Sequence, residues 1–130
     1  MMKSMILQAM AGAMLLSISG FANAQSAMDV AQGKRLFLRC ASCHAVNAGA
    51  AGRIGPNLQS VYGRKAGSLP GYNYSSTMKS KQFAWDNAKL DAWLARPSAV
   101  VPGTTMAFAG MSNPKDRAAV VAYLKSLKKK

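Results

Sequence analysis

The sequence predicts an all-α domain of three main helices joined by long loops that wrap around something other than protein. Three observations carry this prediction. Capping residues and helical spacing recur in three places, near 30–39, 86–96 and 113–127. No run alternates apolar and polar residues as a strand would. Residues 45–81 are rich in Gly, Ala, Asn, Ser and Pro without a sustained helical period, and loops of that length in a compact domain usually enclose something.

Each element has a local reason. Asp29 is a good N-cap for a first helix over 30–39, with Leu36 and Phe37 toward the core. Gly33 sits inside that helix, where Gly costs about 1 kcal/mol relative to Ala, so the spacing predicts another backbone crossing there. Pro70-Gly71 marks a turn. Asp86 caps a second helix running to Arg96, whose Leu90, Trp93 and Leu94 share one face before Pro97 ends it. Residues 98–113 are apolar yet full of turn formers. Asn113-Pro114 opens the last helix, with Val120, Val121, Leu124 and Leu127 inward. Asp116 lies near its positive end and Lys128 to Lys130 near its negative end.

Residues 1–24 read as a secretory signal peptide, and 25–130 as one small domain. Met1-Met2-Lys3 is a short basic start, Ile6 to Ile18 is mostly apolar, and Ala22-Asn23-Ala24 is a cleavage signal, with cutting expected after Ala24. A retained anchor is the alternative, but the apolar stretch is short against the roughly 20 residues that a spanning helix needs. The chain carries 17 Lys and Arg against 4 acidic residues, a net charge of +13, and only Lys3 of the basic residues lies in the leader. Such a surface attracts acidic partners. Export argues against nucleic acid. It favours an acidic docking face on another protein, with an anionic membrane surface as a second, weaker attractor.

Cys40-Ala41-Ser42-Cys43-His44 is the most informative stretch. It reads C-x-x-C-H, the attachment signature of a c-type haem. Residues three apart share a helical face, so both sulfurs can meet one edge of a porphyrin, and the following imidazole is held against the iron. A thioredoxin-like pair would need a βαβ context. Zinc would need about four N or S ligands, and this chain has two Cys and one His, all inside the motif. A small disulfide is the plain alternative. Haem attachment outside the cytoplasm agrees with the leader.

With no histidine besides His44, two-histidine ligation within one chain is impossible. Beyond the leader the methionines are Met28, Met78, Met106 and Met111. Met28 lies near the start and Met78 among Ser and Lys. Met106 and Met111 lie in the apolar loop between two helices, which can fold over a haem face.

The segment Pro102-Gly103-Thr104-Thr105-Met106-Ala107-Phe108-Ala109-Gly110, together with the haem motif, resembles a class I cytochrome c of the small bacterial and mitochondrial kind. The resemblance covers nearly all of 25–130 and implies the cytochrome c fold around one covalently bound haem c, attached through Cys40 and Cys43. It puts the axial ligands on His44 and Met106, leaving Met111 to packing. Gly33 and Phe37 match the family's first helix, and Tyr123 and Leu124 the positions that pack on it. Gly55-Pro56-Asn57-Leu58 matches a family motif and implies that the Pro56 carbonyl accepts a hydrogen bond from His44. Arg64 would lie near a propionate, with Tyr74 and Trp85 as propionate donors. Met78, Trp93 and Thr105 depart from common asparagine, tyrosine and lysine positions.

The resemblance implies a periplasmic mono-haem electron carrier and not an enzyme. It would pass single electrons through an exposed haem edge, from a cytochrome bc complex or periplasmic dehydrogenase to an oxidase or other acceptor. It would act as a monomer, steered to acidic partners by residues such as Arg39, Lys65, Lys79, Lys81, Lys89 and Lys115. An open iron in a haem enzyme or gas sensor, or a fixed subunit of a larger redox complex, are the competing readings.

Overall fold

The computed structural model describes residues 19–129. The leader reading falls largely on 1–18, outside the described residues, as does Lys130. Five helices follow in order: α1 Ser19–Leu36, α2 Ser76–Lys79, α3 Asn87–Ala95, α4 Pro97–Val100 and α5 Pro114–Ser126. Among the described residues the extended pairing is an isolated bridge between Lys65 and Ala84, so the all-α class holds. No described helix is long and apolar enough to cross a membrane.

The first helix differs from the expectation that Asp29 caps it. It begins upstream at Ser19, and Asp29 lies inside it, accepting a hydrogen bond from Gln25 Nε2 at 3.0 Å, one turn earlier. The reason is local. Residues 21–28 contain neither Gly nor Pro to stop a helix, and 22–28 are exposed, so no tertiary contact opposes it. The expected end is also earlier. The helix stops at Leu36 and tightens into a 3₁₀ turn over Phe37–Arg39, which runs into a turn where Cys43 N and His44 N both donate to the Cys40 carbonyl at 3.0 and 2.9 Å.

The other two main helices begin as their caps dictate. Asp86 Oδ1 accepts from Lys89 N at 2.8 Å at the start of α3. Asn113 Oδ1 accepts from Lys115 N at 2.9 Å at the start of α5, with Pro114 at its first position. Pro97 ends α3 and opens α4. The short α2 lies inside the stretch expected to be loop, where Ser75 Oγ accepts from Met78 N at 3.2 Å.

Packing centres on α1 against α5, with α3 against α4 and α5. Gly33 permits the first crossing. A Cβ there would lie 2.6 Å from the Ala119 carbonyl carbon and 2.8 Å from Tyr123 Cβ, closer than any real contact. One turn further on, the Phe37 and Tyr123 rings meet at 5.2 Å and 58°. Phe37, Trp85, Leu90, Trp93, Leu94, Val101, Val120 and Leu124 form the buried core, and no described charged side chain is buried with them. Trp85 joins Phe83 and Trp93 edge to face at 4.9 and 5.3 Å, a favourable arrangement for aromatic quadrupoles.

Candidate functional site

The core is hollow on one side. A crevice of about 250 Å³ opens there, bounded by Cys40, Cys43 and His44 after α1, by Leu90, Trp93 and Leu94 of α3, by Val120 and Leu124 of α5, and by 104–108. Every residue expected to bind the cofactor borders it: Cys40, Cys43, His44, Pro56, Arg64, Tyr74, Trp85 and Met106.

The turn after Phe37 positions the two thiols. Cys40 and Cys43 are both unpaired and half-buried, so the disulfide alternative is not formed. Burial pushes the Cys40 thiol up from its ordinary value, with the Arg39 charge partly opposing this.

His44 is fixed by a long-range contact. Its Nδ1 lies 2.8 Å from the Pro56 carbonyl oxygen. A carbonyl can only accept, so Nδ1 carries the proton and Nε2 keeps the lone pair needed for a metal. Burial lowers the His44 pKa, and the Pro56 bond acts against it. The neutral ring is thus favoured, as a ligand requires. Gly55 makes room for the ring, since a Cβ there would come within 2.7 Å of His44 Nδ1.

The loop that carries Gly55 is tied in turn. Gly55 N donates to the Cys43 carbonyl at 2.8 Å. Tyr72 Oη donates to the Ile54 carbonyl at 2.8 Å, and Arg53 Nη1 to the Ala41 carbonyl at 3.2 Å. Neither of these two side chains, Tyr72 and Arg53, was singled out by a motif.

At the polar end, Arg64 is half-buried and donates to the Asn57 and Gln59 carbonyls at 3.1 and 3.4 Å. Burial lowers its pKa, with Tyr74 opposing, and a guanidinium stays charged regardless. Tyr74 Oη accepts from Leu69 N at 3.2 Å, which leaves its own proton free to donate. Trp85 is buried.

Met106 is half-buried against the core, while Met111 is buried at 6 % exposure and does not border the crevice. Met78, set among Ser and Lys in the sequence as a surface residue would be, is instead half-buried and borders the crevice. Of the basic residues proposed for steering, Arg39 alone borders the crevice. Lys79 reaches Asn73 Oδ1 at 3.3 Å, and Lys89 stands 4.7 Å over the Phe83 ring.

The arrangement fits a covalently held haem. It offers two accessible thiols one turn apart, a neutral imidazole with an oriented free nitrogen, a thioether, a mostly apolar lining and one cationic end. These donors and this lining suit a flat, apolar macrocycle carrying carboxylates.

The Cytochrome c family model matches residues 30–128. The chain is 48 % identical to cytochrome c2 of Rhodomicrobium vannielii over 103 residues, 79 % of this chain and 82 % of that protein. It is 41 % identical to cytochrome c of Ulva intestinalis, over 82 % of this chain and 96 % of that one. Among solved structures, cytochrome cH from Methylobacterium extorquens superposes with a TM-score of 0.70 at 43 % identity, covering 75 % of this chain and 98 % of that one.

Proposed function

The chain belongs to the cytochrome c family, and from that premise we propose that it is a periplasmic shuttle, exported by a leader cut after Ala24. It is a mono-haem electron carrier with one covalently bound haem c, and not an enzyme. The observation that carries the finer reading is the crevice itself, with His44 and Met106 both on its walls.

Bound there, the haem supplies a one-electron couple at its iron. This chain's residues do the rest. Cys40 and Cys43 would hold it by thioethers. His44, oriented by Pro56, and Met106 would supply the two protein ligands to its iron, a pair that raises the reduction potential. Leu90, Trp93, Leu94, Val120 and Leu124 exclude water. A low-dielectric lining penalises the extra positive charge of the oxidised state and raises the potential further. Arg64, Tyr74 and Trp85 serve the propionates. With His44 and Met106 both committed to the iron, no ligand position would be left for a substrate, and the bound haem would serve single-electron transfer alone.

The donor is a cytochrome bc complex or a periplasmic dehydrogenase, and the acceptor an oxidase or similar protein with an acidic face. The excess of 17 basic over 4 acidic residues supports this. A far-red absorption band of the ferric protein, diagnostic of iron–sulfur(Met) bonding, tests the ligation. Met106→Ala abolishes it. Met111→Ala keeps it while costing about 2–5 kcal/mol of stability, as buried Met truncations do. A ferric wild-type protein with no such band at neutral pH would refute the assignment of Met106.

A further inference from the structure

We propose that Arg117, oriented by Asp91, is a positioning residue for the Met106 segment, and that it sets how rarely Met106 leaves the crevice. The proposal rests on Met106 being the axial ligand.

The segment 102–110 is pinned at its two ends. At one end Val101 is fully buried, and its N–H donates to the Pro97 carbonyl at 3.0 Å. At the other, Met111 is buried and its N–H donates to the Leu94 carbonyl at 2.8 Å. Between the pins the backbone has no other tether. Among the described residues, the hydrogen bonds of 102–110 run within 101–110: Thr104 N to the Val101 carbonyl, Met106 N to Thr104 Oγ1, and Phe108 N to the Met106 carbonyl. Met106 and Phe108 pack on the core, but packing alone does not fix a backbone. The place of Met106 therefore depends on the pins.

Arg117 holds the second pin. Its Nη1 donates to the Met111 and Ser112 carbonyls at 2.9 and 3.0 Å, and its Nε donates to Asp91 Oδ1 at 2.8 Å. One guanidinium on α5 thus joins the end of the segment to α3. The Arg117 side chain is only 15 % exposed, against 49 % for Asp91. Bonds from an ionised donor are roughly twice as strong as neutral ones. An exposed carboxylate adds little energy of its own, so Asp91 acts by holding the fork in register. Gly110 completes the pin. It has φ +107°, and a Cβ there would sit 3.0 Å from the Ala95 carbonyl carbon, so the segment lies flush on α3 where Arg117 clamps it.

Imidazole titration of the ferric haem protein tests this, because imidazole binds only when Met106 is off. Its apparent Kd is the intrinsic one divided by the open fraction. Arg117→Gln raises that fraction, so the apparent Kd falls about tenfold, while the far-red band without imidazole stays nearly full because the open form remains a minor one. Asp91→Asn moves the apparent Kd about threefold the same way, and Arg117→Lys reverses part of the change. Val121→Ala, also on α5 but clear of the segment, lowers the melting temperature and leaves imidazole affinity within about twofold. The proposal is overturned if Arg117→Gln and Asp91→Asn leave imidazole affinity at the wild-type value, or if Val121→Ala raises it as much as they do. Failure of Met106→Ala to raise the affinity sinks the ligand assignment instead.

Discussion

His44 Nδ1 and the Pro56 carbonyl oxygen lie 2.8 Å apart across twelve residues of chain. The contact decides which imidazole nitrogen is available to a metal, and the preceding Gly55 decides whether the ring fits at all. Gly55→Ala puts a methyl within 2.7 Å of Nδ1. The neighbour is a ring already held by a hydrogen bond, so it cannot give way cheaply. The expected outcome is about 1–3 kcal/mol of lost stability, a lower yield of haem-loaded protein and a lowered reduction potential, read by denaturation and redox titration.

Gly33→Ala sets two effects against each other. Alanine favours the helix by about 1 kcal/mol. The added methyl meets the Ala119 carbonyl carbon at 2.6 Å, which is backbone and cannot rotate aside. Overpacking of this kind costs about 1–3 kcal/mol and occasionally more. Net destabilisation is expected, measured by urea unfolding of the haem-loaded protein, with the α1–α5 crossing opened.

The chain without its cofactor should not hold its fold. Without a group in the crevice, water would reach Leu90, Trp93, Leu94, Val120 and Leu124, which the cofactor would otherwise cover. Apolar surface returned to water costs about 25 cal/mol per Å², which summed over these side chains is a large share of the ~5–15 kcal/mol total stability of a small domain. Cys40→Ser with Cys43→Ser removes both attachment points. Circular dichroism should show large loss of helix and no cooperative thermal transition. A sharp melt near that of the loaded protein would contradict this.

Docking should be electrostatically lopsided around the crevice mouth. Arg39 is exposed beside it, and Arg53 is held next to the cysteine turn by its bond to the Ala41 carbonyl. Residues 97–113, which carry Met106, contain no charged side chain. Arg39→Gln with Arg53→Gln should slow electron transfer to an acidic redox protein about tenfold at low ionic strength and flatten its salt dependence. Stopped-flow rates across a salt series check it, and equal salt slopes for wild type and variant count against it.

What was legible in the sequence was what local chemistry decides. Asp86 and Asn113-Pro114 announce their helices, because a cap acts within three residues of itself. The crossing at Gly33 was legible because glycine inside a helix is disfavoured unless something presses on it. The start of α1 was not. Asp29 has the chemistry of a cap, but nothing upstream of it stops a helix, so its carboxylate serves Gln25 instead. The short α2 has no period to detect, and its one signal was Ser75. The candidate site was legible through spacing, in Cys40, Cys43 and His44, and through family motifs for Pro56 and Met106. Arg53, Tyr72 and Arg117 were not, since a lone arginine or tyrosine bonding a distant carbonyl leaves no pattern along the chain.

The meeting of α1 with α5 fixes when the molecule can close. Among the described helices α1 and α5 are each other's chief partners, so α1 cannot find its seat until α5 has been made. Cys40 and Cys43 follow α1 directly, so their thiols stay reachable until α5 docks and brings Val120 and Leu124 to close that wall of the crevice.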